Sequence, residues 1–215
     1  MKKYIFLLTV IGLCFSLSGK AQEFVSATAE QKQLMSEKIS ESSAAMIALV
    51  CDFVQKKELS ILNETMISKG KMYYRNDSRL RWEYFTPYSY TFVLNGKKIL
   101  MKSDNSQNVI DVNSSKLFQE IVKIMMSSVS GTGLIDNVES FSADYFWGDK
   151  ACQIHFAPKS KEMKKMFSNV KLTFDKQDYT VDQVEMTEQT GSVTVIKLAN
   201  KQINTEIGDE KFRID

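Results

Sequence analysis

The stretch Gly70–Gly96, G-K-M-Y-Y-R-N-D-S-R-L-R-W-E-Y-F-T-P-Y-S-Y-T-F-V-L-N-G, reads as three consecutive antiparallel strands. Met72, Tyr73 and Tyr74 belong to the first, which ends at an Asn76-Asp77-Ser78 turn. In the second, Leu80, Trp82 and Tyr84 share one face and Arg81 and Glu83 the other, because side chains alternate along a strand. Pro87 closes it, since proline gives no hydrogen bond to a ladder. Tyr90, Phe92 and Leu94 line one face of the third. Asn95-Gly96 then predicts a tight hairpin with positive φ at both central positions. One face of this sheet is therefore large and aromatic.

Working outward, Glu30–Ala45 predicts a modestly amphipathic helix, with Leu34, Met35 and Ile39 on one side. Met46–Lys57 reads as a strand in which Ile47, Leu49, Cys51 and Phe53 alternate with Ala48, Val50, Asp52 and Val54. Leu59–Met66 fits either a strand extension or an excursion. Beyond the central stretch, Lys98–Ser103 and Asn108–Val112 predict two more strands. Ser114-Ser115 offers an N-cap to a strongly apolar helix over residues 116–129. Gly131-Thr132-Gly133 breaks the chain. Strands resume at Ser140–Trp147 and Cys152–Ala157, and a helical turn spans Lys161–Phe167. A meander follows at Lys171–Phe174, Thr180–Thr187 and Val193–Leu198. The tail, Asn204–Ile207 with Phe212, has one strong apolar anchor and is expected to dock. This is an α+β pattern of about ten or eleven antiparallel strands, and a sheet that large curls rather than staying flat.

The N-terminus reads differently. Lys2 and Lys3 precede an apolar run, Tyr4–Phe15, followed by the small residues Gly19 and Ala21. That is the pattern of a secretory signal peptide over residues 1–21, cut between Ala21 and Gln22, with residues 22–215 as one exported, soluble domain. The run is short for a membrane span. Leu13 before Cys14 is too bulky for lipoprotein processing. Removing the leader takes three lysines, so 28 basic residues fall to 25 against 26 acidic ones, a net charge of −1. A near-neutral chain with few basic patches argues against nucleic acid. Cys51 and Cys152 remain as a possible disulfide, with two buried thiols as the alternative.

Catalytic signals are sparse. The single histidine, His155, sits in a strand between Ile154 and Phe156. Ser128–Gly133 lacks the strand-to-helix context of a nucleophile elbow. The chain has no zinc-type, EF-hand or P-loop motif, so the expectation is no enzyme, no metal, no cofactor and no ATP use of its own. What is present is the apolar face. Leu49, Phe53, Trp82, Tyr84, Tyr90, Phe92 and Leu94 are either ordinary core or the lining of a cavity for an apolar ligand. The helix at 116–129, with Ile121 and Met125, would then be the cover. Methionine suits a surface that repacks.

The ordered series Phe53-Val54-Gln55-Lys56, Ser68–Arg75, Leu80-Arg81-Trp82-Glu83-Tyr84, Pro87, Tyr90 and Val93–Lys97 resembles the LolA family of periplasmic lipoprotein carriers. The ending, with Thr190-Gly191, Asn200, Asn204, Ile207 and Phe212, extends the likeness over most of the mature chain. The resemblance implies an open, half-closed antiparallel β-barrel with helices covering its concave face. It implies a monomer that holds the acyl chains of lipoproteins. Its partners would be an ATP-driven inner-membrane extractor as donor and an outer-membrane acceptor. It also implies Arg75 as a lid contact, although an ungapped comparison puts Asn76 at that position, and one residue changes the face. The same fold serves as a periplasmic lipid-sensing or protein-interaction module, which is the alternative reading.

Overall fold

The computed structural model describes residues 23–131 and 140–214; the predicted signal peptide and most of the break after Gly131 lie outside the described residues. The chain forms β1 (Val25–Ser26), α1 (Ala29–Ala45), β2 (Ala48–Leu59), β3 (Glu64–Arg75), β4 (Arg79–Thr86), β5 (Tyr90–Asn95), β6 (Lys98–Ser103), β7 (Gln107–Asp111) and α2 (Lys116–Ser130). It continues as β8 (Phe141–Trp147), β9 (Ala151–Pro158), α3 (Lys161–Met166), β10 (Phe167–Asp175), β11 (Val181–Glu188) and β12 (Val193–Ile203). All the strands belong to one twelve-stranded sheet in the order β1-β8-β9-β10-β11-β12-β2-β3-β4-β5-β6-β7. Every neighbouring pair is antiparallel. The edge strands β1 and β7 do not pair, so the curled sheet stays an open barrel.

The central stretch forms the three predicted strands, with one change at its last turn. Asn95 pairs with Lys98, so the two loop residues are Gly96 and Lys97. Only Gly96 has a positive φ, +59°. The hairpin is therefore of the II′ kind, which needs glycine at its first central position, and not the I′ turn predicted for Asn95-Gly96. The sheet also gains strand β1 where the sequence reads as a loose start, because Val25 and Ser26 pair with Trp147 and Phe146. The ambiguous segment after Leu59 is the turn of a long hairpin, with β3 resuming at Glu64.

Helix α1 begins at a capping box: the Gln31 N–H donates to Thr28 Oγ1 at 3.2 Å and the Thr28 N–H to Gln31 Oε1 at 2.9 Å. It buries Met35 and Ile39 in the inner core, while Leu34, predicted beside them, is exposed. Asn204 locks the passage from α1 to β2. Its side-chain amide donates to Ala45 O at 2.9 Å, and its oxygen accepts from the Ile47 N–H at 2.8 Å and the Ala48 N–H at 3.3 Å.

Two apolar cores result, one on each face. The inner one joins Met35, Ile39, Leu49, Phe53, Leu80, Leu94, Ile124, Val129, Phe156 and Phe174, so both long helices lie against the same side of the sheet. The outer one joins Ala48, Val93 and Leu100 to Ile207 and Phe212 of the tail, which docks as the sequence suggested.

At Gly70 two elements meet so closely that only hydrogen fits: a Cβ there would stand 1.8 Å from Glu83 O and 2.6 Å from the Phe53 ring. Backbone cannot yield as a flexible side chain does, and overpacking of this kind costs about 1–3 kcal/mol or more. Gly70→Ala is expected to lose at least that much stability in urea unfolding, with the β3–β4 pairing the first to open by hydrogen exchange.

Candidate functional site

The register of the first half of the sheet stacks the predicted lining residues in rows across the strands. One row runs Leu49, Tyr74, Leu80, Leu94, Ile99, Ile110. The next runs Cys51, Met72, Trp82, Phe92, Met101, and a third Phe53, Gly70, Tyr84, Tyr90. The inner-face residues of β2, β4 and β5 named from the sequence fall in these rows except Ile47, which precedes β2 and is exposed. Leu49, Phe53, Trp82 and Leu94 are buried, and Tyr84, Tyr90 and Phe92 are half-buried. The missing glycine side chain at position 70 is what admits the Phe53 ring, which lies 5.0 Å from both Trp82 and Tyr84. Such aromatic pairs add about 0.5–1.5 kcal/mol beyond the area they bury. Tyr84 stands 6.2 Å from Tyr90, and the two close the row toward the rim.

Sequence reasoning missed the second wall. Ile154, Leu172, Val184 and Ile196 form a row on β9 to β12, with Phe156, Val170 and Met186 beside it. Alternation in those strands carries the signal, and Met72, Leu80, Ile99 and Met101 were legible in the same way.

Helix α2 lies on the inner face, where it approaches β11 of the second wall. Ile124 and Val129 are buried in the inner core, and Val122, Met125 and Met126 pack against it half-buried. The side chain of Ile121 lies outside the described residues. The inner face is thus packed by this protein's own side chains.

Polar atoms on this face are few. The Tyr84 hydroxyl donates to Gln55 Oε1 at 2.9 Å, and burial pushes its pKa up to about 12. The buried Trp82 indole N–H has no hydrogen-bond partner among the described residues. The rows carry three tyrosine hydroxyls, of Tyr74, Tyr84 and Tyr90, in an otherwise apolar face that suits hydrocarbon.

Two sequence expectations need correction. Arg75 is not a lid contact. Its neighbour Tyr74 points inward, so alternation turns Arg75 to the outer face, away from α1 and α2. There Arg75 Nη1 donates to Asp209 Oδ1 at 2.6 Å and to Ile207 O at 3.2 Å, while Nη2 donates to Asp77 Oδ2 at 2.7 Å. Arg79 also donates to Asp209, at 2.5 Å, and Arg81 to Lys211 O at 3.1 Å. This arginine row straps the tail, with Arg75 5.7 Å from the Phe212 ring centre. Nor do Cys51 and Cys152 form a disulfide; both are buried free thiols. They sit on β2 and β9, which β10, β11 and β12 separate in the sheet, whereas a disulfide needs Cα atoms within about 7 Å.

His155 faces outward on β9, 4.2 Å from the Phe146 ring and 3.2 Å from Gln153 Oε1. Partial burial, and then the nearby Lys171, lower its pKa. No group of three or more His, Cys, Asp or Glu side chains able to hold a metal occurs among the described residues. No helix among them is long and apolar enough to cross a membrane.

The chain is an open antiparallel barrel with an apolar inner face against which helices pack. The family model described as outer membrane lipoprotein carrier protein LolA matches residues 45–215, and the chain belongs to that family. No curated protein matches the chain. Among solved structures, the fold is similar to that of the MucA/MucB complex of Pseudomonas aeruginosa (9% identity, 83% of this chain and 60% of that one, TM-score 0.50). It is equally similar to an uncharacterised conserved protein from Thermus thermophilus (9% identity, 84% and 91% covered, TM-score 0.50). A LolA-superfamily protein from Nitrosomonas europaea matches at 8% identity, 88% and 98% covered, with a TM-score of 0.46. At such identities the likeness speaks for the fold alone.

Two outcomes follow from the geometry. Burial pushes both thiols up to about 12, so Cys51 and Cys152 should resist a thiol reagent in the folded protein. Both should react at once in denaturant, with no reductant needed. The second concerns the tail. The hydrogen bond from Arg75, followed by that from Arg79, lowers the pKa of Asp209 from its ordinary value of 3.8. A depressed carboxylate stabilises the docked tail fully above that ordinary value, and the contribution is lost as pH falls through the lowered one. Hydrogen exchange at residues 207–212 should therefore quicken in acid, and Asp209→Asn should show the acid behaviour already at neutral pH.

Proposed function

We propose that this protein is a periplasmic carrier of lipoprotein acyl chains, moving them from the inner to the outer membrane. The signal-peptide pattern at residues 1–21 exports it, and the mature chain begins at Gln22. The observation that carries the reading is the inner face itself: Leu49, Phe53, Trp82, Tyr84, Tyr90, Phe92 and Leu94 on one wall, with a helix that packs methionines against the same inner core. Lifting α2 exposes a wall of hydrocarbon-like surface without unpairing a single strand. Ile121 and Met125 would then contact cargo as part of the cover. Acylated lipoproteins are the ligands, an ATP-driven inner-membrane extractor the donor, and an outer-membrane protein the acceptor.

Magnitudes constrain the mechanism. Three acyl chains carry on the order of 40 methylenes, and at about 0.8 kcal/mol each their burial from water would approach 30 kcal/mol. Non-covalent affinities saturate near 18–21 kcal/mol. Water is therefore the wrong reference: cargo passes between lipid-like environments of nearly equal depth. A face filled by the protein's own side chains supports such a balance, because the energy of re-closing α2 offsets much of the energy of holding cargo. Direction then comes from the donor and acceptor.

The test is native mass spectrometry of protein purified from the periplasm, with lipid extraction. Mature mass beginning at Gln22 and co-purifying acylated cargo are expected. Met125→Glu, which places a charge on the covering helix, and Trp82→Ala should each lower uptake of a fluorescent acyl probe at least tenfold. A protein that arrives empty and takes up no probe would refute the carrier reading.

A further inference from the structure

A second apolar surface lies at the rim where β2 turns into β3. The turn 59–63 contains no charged residue, and at its tip Ile61 is 79% and Leu62 63% exposed. Ile67, on the following strand, is 54% exposed. Pairing of β3 with β4 starts only at Lys69 and Thr86, so the hairpin projects past the neighbouring strand.

The fold brings a basic element beside this tip. Ser60 Oγ donates to Thr190 O at 2.7 Å, tying the hairpin to the β11–β12 turn. The Gln189 N–H of that turn donates in its own right to Met166 O at 3.3 Å, at the end of α3. Along α3, Lys161, Lys164 and Lys165 are all exposed, against one acid, Glu162. The hairpin's own Glu58 is matched by Lys56 at 2.7 Å, and Glu188 next to the turn by Lys57 at 2.7 Å, leaving Glu64 as the hairpin's other acid. The rim is thus a protruding aliphatic tip flanked by surplus positive charge.

We propose that this rim docks the protein on an anionic lipid bilayer. Ile61 and Leu62 enter the boundary between headgroups and acyl chains, and the α3 lysines face lipid phosphates. A cleft of about 220 Å³ at the base of the hairpin is lined by Glu58, Ser60, Asn63, Glu64 and Gly191, but Ile61 and Leu62 stand outside it as a convex aliphatic tip, around which a bilayer yields. The charge selects among lipids, since a lysine near an anionic surface is worth on the order of fivefold in partitioning. One signal alone gives marginal membrane binding, and two together make it effective. The inference goes beyond the carrier reading and does not depend on it.

Flotation of the mature protein with vesicles tests it, comparing phosphatidylcholine alone with phosphatidylcholine containing phosphatidylglycerol. The protein should float with the anionic vesicles, and high salt should release it. Ile61→Ser with Leu62→Ser, at an exposed turn where the fold tolerates change, should reduce flotation at least tenfold. Lys161→Glu with Lys164→Glu and Lys165→Glu should abolish the preference for anionic lipid. Wild type that fails to float, or variants that float like wild type, would overturn the proposal. So would a dimer in sedimentation velocity that dissolves in the tip variant, because the tip would then bind a second copy. Uptake of the fluorescent acyl probe by wild type is measured alongside: wild type that takes up probe but does not float defeats the docking alone, and wild type that floats but takes up no probe defeats the carrier reading alone.

Discussion

A twelve-stranded sheet that does not close must cover a long apolar inner face, and the rest of the structure answers that need. The rows running from Leu49 to Ile110 and from Cys51 to Met101 give the face six strands of continuous hydrocarbon and aromatic surface. Left open to water this would be an aggregation hazard, since exposed patches beyond a few hundred square ångströms rarely persist on monomers. Helix α1 covers part of it through Met35 and Ile39, and α2 covers more through Ile124, Val129 and two half-buried methionines. The helices are thus demanded by the sheet, and neither contributes a hydrogen bond to the strand ladder.

The outer face solves a different problem. It is polar over most of its area, and its small apolar patch around Val93 and Leu100 is sealed by Ile207 and Phe212. Three arginines on successive outward positions, Arg75 on β3 with Arg79 and Arg81 on β4, reach the tail's carbonyls and the Asp209 carboxylate. Asn204 meanwhile ties the start of the tail to the α1–β2 junction. The tail and the two long helices therefore lie on opposite faces of the sheet.

Much of this was legible from residue order. Alternation placed Trp82 opposite Arg81 and Phe92 opposite Val93 in facing, and the run Leu117–Met126 announced the second helix. The aromatic face, the docking tail and the family likeness all followed from such patterns. The turn at Gly96 was misread because the register of a hairpin depends on which residues pair, and two-residue loops with glycine in either central place look alike in sequence. The lid role of Arg75 failed for a related reason: the family likeness assigned a role to a neighbourhood, while a strand assigns faces residue by residue.

By itself the sequence determined the local periods: which segments alternate, which one repeats as a helix, and which side chains share a side. These are properties of a few consecutive residues and need no partner. Only the tertiary structure decided that β2 joins β12 to β3 at the middle of the sheet, that Cys51 and Cys152 end up three strands apart, and that the β9–β12 wall completes the inner face. Those are contacts between residues far apart in the chain. They are selected by how two apolar faces and two helices can be buried at once, a condition that no single stretch of sequence contains.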